Sequence, residues 1–150
     1  IKKLLLSIRH LFKKYNELIF EEYKGGQEVQ VAVINGTALG AIELVPKRFF
    51  YDYKAKYTRK AKTKHIMPAR LPKNKYNEVL KIAKKAHKVL KCKGVTRSDF
   101  KFYNNKFYLL ELNTQPGMTS LSLVPEIAEY KGITFENLVE KILLDASVDK

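Results

Sequence analysis

At 150 residues, 45% of them hydrophobic, the chain has the length and composition for one buried core. A single cysteine, Cys92, excludes an internal disulfide and fits a reducing, cytoplasmic setting, and no apolar run approaches the roughly 20 residues of a membrane span. The net charge of +14 is uneven, with +1 on residues 1–46, +15 on 47–93 and −2 on 94–150, which keeps a nucleic-acid-binding module open as one reading of the middle block.

In chain order, residues 1–15 are amphipathic and basic, with Leu4, Leu5, Ile8, Leu11, Phe12 and Tyr15 on one stripe. The pattern could pass for a targeting presequence. A core-facing helix is the better expectation, because it leads into a predicted strand over Leu18–Tyr23. The start at Ile1 rather than Met suggests a piece of a longer product. Glu28 to Ile34 reads as a strand with Val29, Val31 and Val33 on one face, Asn35-Gly36 as a tight turn, and Thr37 to Val45 as the returning strand, stopped by Pro46. Residues 47–75 look like one long loop rich in Lys, Arg, Tyr and Pro. A loop of that length is usually functional, and a lid over a charged ligand would account for it. A helix is expected over 76–90, with Tyr76, Val79, Leu80, Ala83, Ala86, His87 and Leu90 inward and Lys81, Lys84, Lys85 and Lys88 solvated. After a hairpin come a short helix near 124–130 and a last helix capped by Thr134, with Phe135, Leu138, Val139, Ile142 and Leu143 facing the core. The expected fold is α+β, one unit over residues 1–150, with antiparallel strands backed by helices and no internal repeat.

The hairpin between Arg97 and Asn113 carries the chemistry. Its register decides what it presents. A two-residue loop at Asn104-Asn105 puts Asp99 and Glu111 on opposite faces. A three-residue loop, Asn104 to Lys106, pairs 99 with 111, 101 with 109 and 103 with 107. That register places Phe100, Phe102, Tyr108, Leu110 and Leu112 on one face and Arg97, Asp99, Glu111 and Asn113 on the other. Burial favours it, since a one-residue slip would drive Glu111 among the phenylalanines. Three oxygen-bearing side chains and a guanidinium then converge, a set that suits a hard divalent cation holding phosphates. The same spacing also suits an ordinary ion pair on a solvated face. The following loop favours a ligand: Pro116-Gly117 turns the chain with backbone N–H groups exposed, and a Ser/Thr-rich stretch to Ser122 leads towards a helix start, where an anion is welcome.

At this point the chain resembles a known family. Arg97-Ser-Asp99, Glu111-Leu-Asn113-Thr-Gln-Pro-Gly-Met-Thr and Ser122-Leu123-Val-Pro are similar to the C-terminal signature of D-alanine–D-alanine ligases, in the ATP-grasp superfamily. Glu21-Glu-Tyr-Lys-Gly-Gly-Gln-Glu28 resembles that family's nucleotide hinge, and Phe50-Tyr-Asp-Tyr-Lys-Ala-Lys56-Tyr57-Thr its mobile loop. The resemblance implies the C-terminal part of an ATP-grasp domain, without the N-terminal substrate domain and the central subdomain. It implies ATP-dependent joining of two D-alanines through an acyl phosphate, for peptidoglycan precursors, in a cytoplasmic enzyme that is a homodimer at full length. By resemblance, Asp99, Glu111 and Asn113 hold two Mg²⁺ or Mn²⁺ ions. Arg97 and the Gly117 N–H stabilise the oxyanion, and Ser122 with the backbone at Leu123 holds the second D-alanine's carboxylate. Glu21, Glu22 and Lys24 line the adenine, Glu28 takes the ribose hydroxyls, and Lys56 reaches a phosphate. Tyr57 stands where relatives that make an ester carry histidine, which favours the dipeptide.

Two departures stand out. Lys24 replaces the usual aliphatic residue beside adenine, and Glu22 sits where lysine is common. With half of the ATP site absent, the fragment alone is expected to be inactive. An inactive remnant of such a ligase stays open as an alternative, beside the nucleic-acid module. The resemblance implies no nucleic-acid or membrane partner.

Overall fold

The computed structural model describes residues 2–46, 63–119 and 121–146. Strand β1 (Gln27–Ile34) and strand β2 (Thr37–Val45) form a hairpin. Its turn residues Asn35 and Gly36 both take positive φ, 47° and 73°, the left-handed pair that matches strand twist in a two-residue loop. Strand β3 (Lys64–Ile66) lies on the outer edge of β2, and β4 (Val95–Tyr103) and β5 (Lys106–Asn113) lie beyond β1. The order is β3-β2-β1-β4-β5, with every pairing antiparallel.

Four helices are described: α1 (Lys2–Phe12), α2 (Lys73–Val89), α3 (Leu123–Tyr130) and α4 (Phe135–Asp145). On one face of the sheet Val79 and Ala83 of α2 pack on Val29, Val31, Val33, Ala41 and Phe100. On the other, Val124 and Ile127 of α3 and Leu138 of α4 pack on Ala32, Ile34, Leu39, Ile42 and Val95. The central strand β1 is therefore buried on both faces, each large apolar side chain contributing about 1.5–3 kcal/mol. Lys81, Lys84, Lys85 and Lys88 are exposed on the outer face of α2, as their spacing predicts.

Several expectations need correction. Leu18–Tyr23 forms no strand: no described strand pairs with it, and Ile19, Phe20 and Tyr23 are 89%, 64% and 61% exposed. The first helix forms but buries no residue, so its apolar stripe is not core-facing among the described residues. In α4 only Leu138 is buried, because α3 covers one side alone, and Phe135 and Leu143 stay exposed. The 47–75 stretch is not all loop. Lys64–Ile66 extends the sheet edge, too short for a period-2 signal, and α2 starts at Lys73, three residues early. Leu90 caps α2 and is exposed rather than inward.

The β4–β5 hairpin is the most instructive correction. Its loop has two residues, not three: Tyr103 pairs with Lys106, Phe102 with Phe107, Lys101 with Tyr108 and Phe100 with Leu109. Asn104 and Asn105 supply the positive φ angles, 49° and 60°. The register then shifts between Asp99 and Phe100, so that Asp99 faces Glu111 and Arg97 faces Asn113 after all. The extra residue is Leu110, 55% exposed at the bulge. A bulge changes which side chains share a face. Phe107, not Tyr108, joins the apolar face, with ring centroids 4.6 Å from Phe102 and 6.1 Å from Phe100.

Candidate functional site

Strand alternation places Glu28 and Gln30 of β1 on the face that carries Ala32 and Ile34, and puts Arg97, Asp99 and Lys101 of β4 beside them. Glu111 and Asn113 of β5 complete that surface. Here α3 and α4 pack on Ala32, Ile34, Leu39, Ile42, Leu44 and Val95.

Of the predicted metal ligands, Asp99 and Glu111 meet at Arg97, and Asn113 is the cross-strand partner of Arg97. Arg97 grips Asp99 with a fork, Nε donating to Oδ1 at 2.8 Å and Nη2 to Oδ2 at 3.1 Å. The same Nη2 lies 3.7 Å from Oε1 of Glu111. The Asp99 side chain is 8% exposed and that of Glu111 55%. Burial pushes the Asp99 carboxyl up to about 6, Arg97 pulls against it, and the neighbouring Glu111 adds to the rise. Asn113 Oδ1 accepts the Gln115 N–H at 2.9 Å, which fixes the amide and leaves its second lone pair for a ligand. Among the described residues no three His, Cys, Asp or Glu side chains gather as a cation cage. The donor set is therefore two carboxylates and one amide carbonyl. All three are hard oxygens, and Mg²⁺ or Mn²⁺ ordinarily completes such a partial set with water and phosphate. A buried acid whose charge one guanidinium does not fully offset is a further reason to regard the residues as fitting a divalent cation.

The loop after β5 brings Gly117 against Ser122. A Cβ on Gly117 would meet Ser122 Oγ at 2.9 Å, closer than side chains approach one another. Ser122 Oγ accepts the Thr119 N–H at 2.9 Å and lies 2.9 Å from Thr119 Oγ1. Leu123 opens α3 with its side chain buried, so only its backbone is available to a ligand.

At the hinge, Gly26 sits at φ +89°, where a Cβ would run into the Phe102 carbonyl. Glycine is required for the hinge to approach β4. Glu21 and Glu22 are exposed. Lys24 Nζ lies 2.6 Å from Glu22 Oε2 and 4.8 Å from the centroid of the Tyr108 ring. The hydrogen bond that Lys24 donates to Glu22 raises the Lys24 pKa. Glu28 pairs with Lys101 at 2.5 Å. Beside it opens a cleft of about 570 Å³, lined by Tyr23, Gln27, Glu28, Glu43, Arg70 and Lys101 among others. Lys56 and Tyr57 lie outside the described residues.

Three contributors escape the sequence reading: Lys101, the Arg70–Glu43 pair and Gln30. Lys101 is legible only once the bulge fixes its row. Glu43 and Gln30 each interrupt an apolar strand, at Ala41-Ile-Glu43-Leu and Val29-Gln30-Val. That break in pattern is the signal that could have found them.

Known proteins resemble this chain along nearly its whole length. A family model described as "D-ala D-ala ligase C-terminus" matches residues 1–144. A D-alanine–D-alanine ligase of Pelagibacter ubique is 59% identical over 146 residues, which is 97% of this chain and 48% of that relative. One of Rickettsia typhi is 49% identical over 136 residues, 89% of this chain and 42% of the relative. The solved D-alanine–D-alanine ligase of Bacillus anthracis superposes with a TM-score of 0.80 at 30% identity, covering 97% of this chain and 48% of the other. The same enzyme complexed with ATP gives 0.77 at 26%, over 96% and 46%. The chain thus spans about half the length of the curated relatives it matches. From this match along nearly its whole length, the chain belongs to the D-alanine–D-alanine ligase family, as its C-terminal part.

Proposed function

We propose that the chain forms the C-terminal wall of a ligase that joins two D-alanines at the expense of ATP. The observation that carries the reading is the convergence of Asp99, Glu111 and Arg97 on one open sheet face beside the hinge cleft. In the reaction a D-alanine carboxylate oxygen attacks the γ-phosphorus of ATP, and ADP leaves. The amine of the second D-alanine then attacks the acyl carbon, loses a proton and expels phosphate. The protein's task is positioning and charge stabilisation rather than covalent chemistry.

In this reading Asp99, Glu111 and Asn113 would hold two Mg²⁺ or Mn²⁺ ions, which would supply charge neutralisation to the ATP phosphates. Arg97 carries a fixed fork of donors to the transferring phosphate and the developing oxyanion. The Gly117 N–H assists, at a position where a Cβ would crowd Ser122. Ser122 and the Leu123 backbone, at the α3 N-terminus, receive the second D-alanine's carboxylate. Glu28 takes the ribose while Lys101 steadies it. Glu21, Glu22 and Lys24 border the adenine. Lys56 would reach phosphate, and Tyr57 favours the dipeptide over the ester.

One wall of a cleft cannot hold two substrates in attack geometry, and such positioning supplies roughly 7–11 kcal/mol in well-oriented systems. Activity therefore belongs to the full-length protein, which we take to be a cytoplasmic homodimer. The test is Glu111→Gln at full length. D-alanine-dependent phosphate release should fall by at least about a hundredfold at saturating Mg²⁺, with circular dichroism unchanged. Turnover within a few-fold of wild type would refute the metal assignment.

A further inference from the structure

Gln30 is buried, 2% exposed, and its Oε1 has no hydrogen-bond partner. It stands in the middle of β1, where every other residue from Val29 to Ile34 is apolar. A buried carbonyl left unpaired costs about 1–3 kcal/mol. For the fold alone, an aliphatic residue would serve better at this position.

Its place in the sheet offers a reason for keeping it. Gln30 is the cross-strand partner of Asp99, and Asp99 is the partner of Glu111. Three neighbouring strands thus contribute one oxygen-bearing side chain each to a single row on a single face. The row lies between two others: Glu28 with Lys101, and Ala32 with Arg97 and Asn113. Paired residues on adjacent strands stand about 5 Å apart. Gln30 is therefore next to Asp99 and one strand further from Glu111, within reach of the hydration shell of a cation held there.

We propose that Gln30 is a further member of the metal–phosphate site, its Oε1 accepting a hydrogen bond from water on the divalent cation. The proposal rests on the ligase reading above. Such outer-sphere acceptors typically change metal affinity by about 10–100-fold. The isosteric carbonyl is kept, despite its cost to the apo fold, because the loaded site satisfies it.

The experiment compares Gln30→Leu, Gln30→Glu and Glu111→Gln with wild type in the full-length protein. Two quantities are read without D-alanine: the thermal midpoint free of metal and nucleotide, and the affinity for Mn²⁺ with ATP by calorimetry and electron paramagnetic resonance. Gln30→Leu should hold or raise the midpoint yet weaken Mn²⁺–ATP binding by about tenfold. Gln30→Glu should lower the metal-free midpoint and retain or tighten binding. If Gln30→Leu binds within twofold of wild type, the residue only packs and the proposal fails. If both variants lose affinity in step with their midpoints, the role is structural and the proposal also fails. Glu111→Gln separates the two levels, since unchanged Mn²⁺ affinity there sinks the metal reading itself rather than Gln30 alone.

Discussion

Asp99 and Glu43 make a controlled comparison within one sheet. Both carboxylates are nearly inaccessible, 6% and 4% exposed, and both are held by an arginine fork. Yet burial lifts the Asp99 carboxyl to about 6, while the Arg70 hydrogen bonds hold Glu43 below the usual range. The difference lies in what surrounds each pair. Glu43 accepts from Arg70 Nε at 2.8 Å, Nη2 at 2.7 Å and the Arg70 backbone N–H at 3.3 Å, and Gln27 adds a further bond. Asp99 holds the Arg97 fork with a second acid, Glu111, alongside. One pair is closed and structural. The other sets two acids against one arginine, an arrangement that the proposed cation would relieve.

The largest expected contrast is between the two arginines. Arg97, 12% exposed, reaches both acids, whereas Arg70, 63% exposed, braces Glu43 from the surface. In the full-length enzyme Arg97→Lys should lose at least about a hundredfold in turnover, nearly as much as Arg97→Ala, because the planar fork is lost with the charge kept. Arg70→Lys should stay within a few-fold. Steady-state kinetics on the three variants decides it, and near-normal turnover for Arg97→Lys would show that only charge matters there.

Next in size is Asp99→Asn, measured with metal chelated. A carboxyl raised from 3.8 to about 6 contributes stability that is complete below the unfolded value and lost as pH rises through the folded one. At pH 8 the ionised form costs up to about 3 kcal/mol, since each pKa unit is worth 1.36 kcal/mol. Asparagine stays neutral, so the variant should be the more stable by about 1–3 kcal/mol at pH 8, with the gap closing at pH 5 or below. Urea melts at the two pH values test this. An equal or lower midpoint for the variant at pH 8 would mean that Asp99 is satisfied by Arg97 after all.

Glu43→Gln should act in the opposite sense. A lowered carboxyl contributes stability that is present above its unfolded value of 4.5 and lost as pH falls through the folded one. The variant should be less stable at pH 7 by about 1–2 kcal/mol, a modest figure because Arg70 is solvent-screened. The deficit should shrink under acid. A deficit that grew on acidification would break the comparison.

The Asp99 half of this contrast is readable from sequence, for physical reasons, and the Glu43–Arg70 half is not. The pairing of Asp99 with Glu111 follows from keeping acids away from Phe100 and Phe102, and that constraint held although the assumed loop length did not. The bulge at Leu110 was not readable, because a two-residue turn plus a bulge and a three-residue turn give the same pairing at the acid end. Leu18–Tyr23 and the α1 stripe misled because amphipathic pattern says that a face wants cover, not that any described element supplies it. Gln30 gives a quieter signal, because a neutral polar residue in an apolar strand breaks the pattern without adding charge.

The smallest expected effect tests the hinge departure at Lys24. Its ammonium is paired with Glu22 at 2.6 Å and lies over Tyr108 at 4.8 Å, so its charge is already answered locally. Glu22 is 77% exposed, and an ion pair so open to water is heavily screened. The stem of Lys24, meanwhile, can line an apolar surface much as an aliphatic side chain does. Lys24→Leu in the full-length protein should therefore shift ATP affinity by no more than about threefold, with little dependence on salt. Glu22→Gln should behave alike, since it breaks the same pair. Calorimetric titration at low and high salt reads both variants. A tenfold loss for Lys24→Leu that disappears at high salt would show that the ammonium leaves Tyr108 to meet the phosphates. The hinge would then belong with Arg97 among the charged groups of the site, not with Glu43 and Arg70 among the braces.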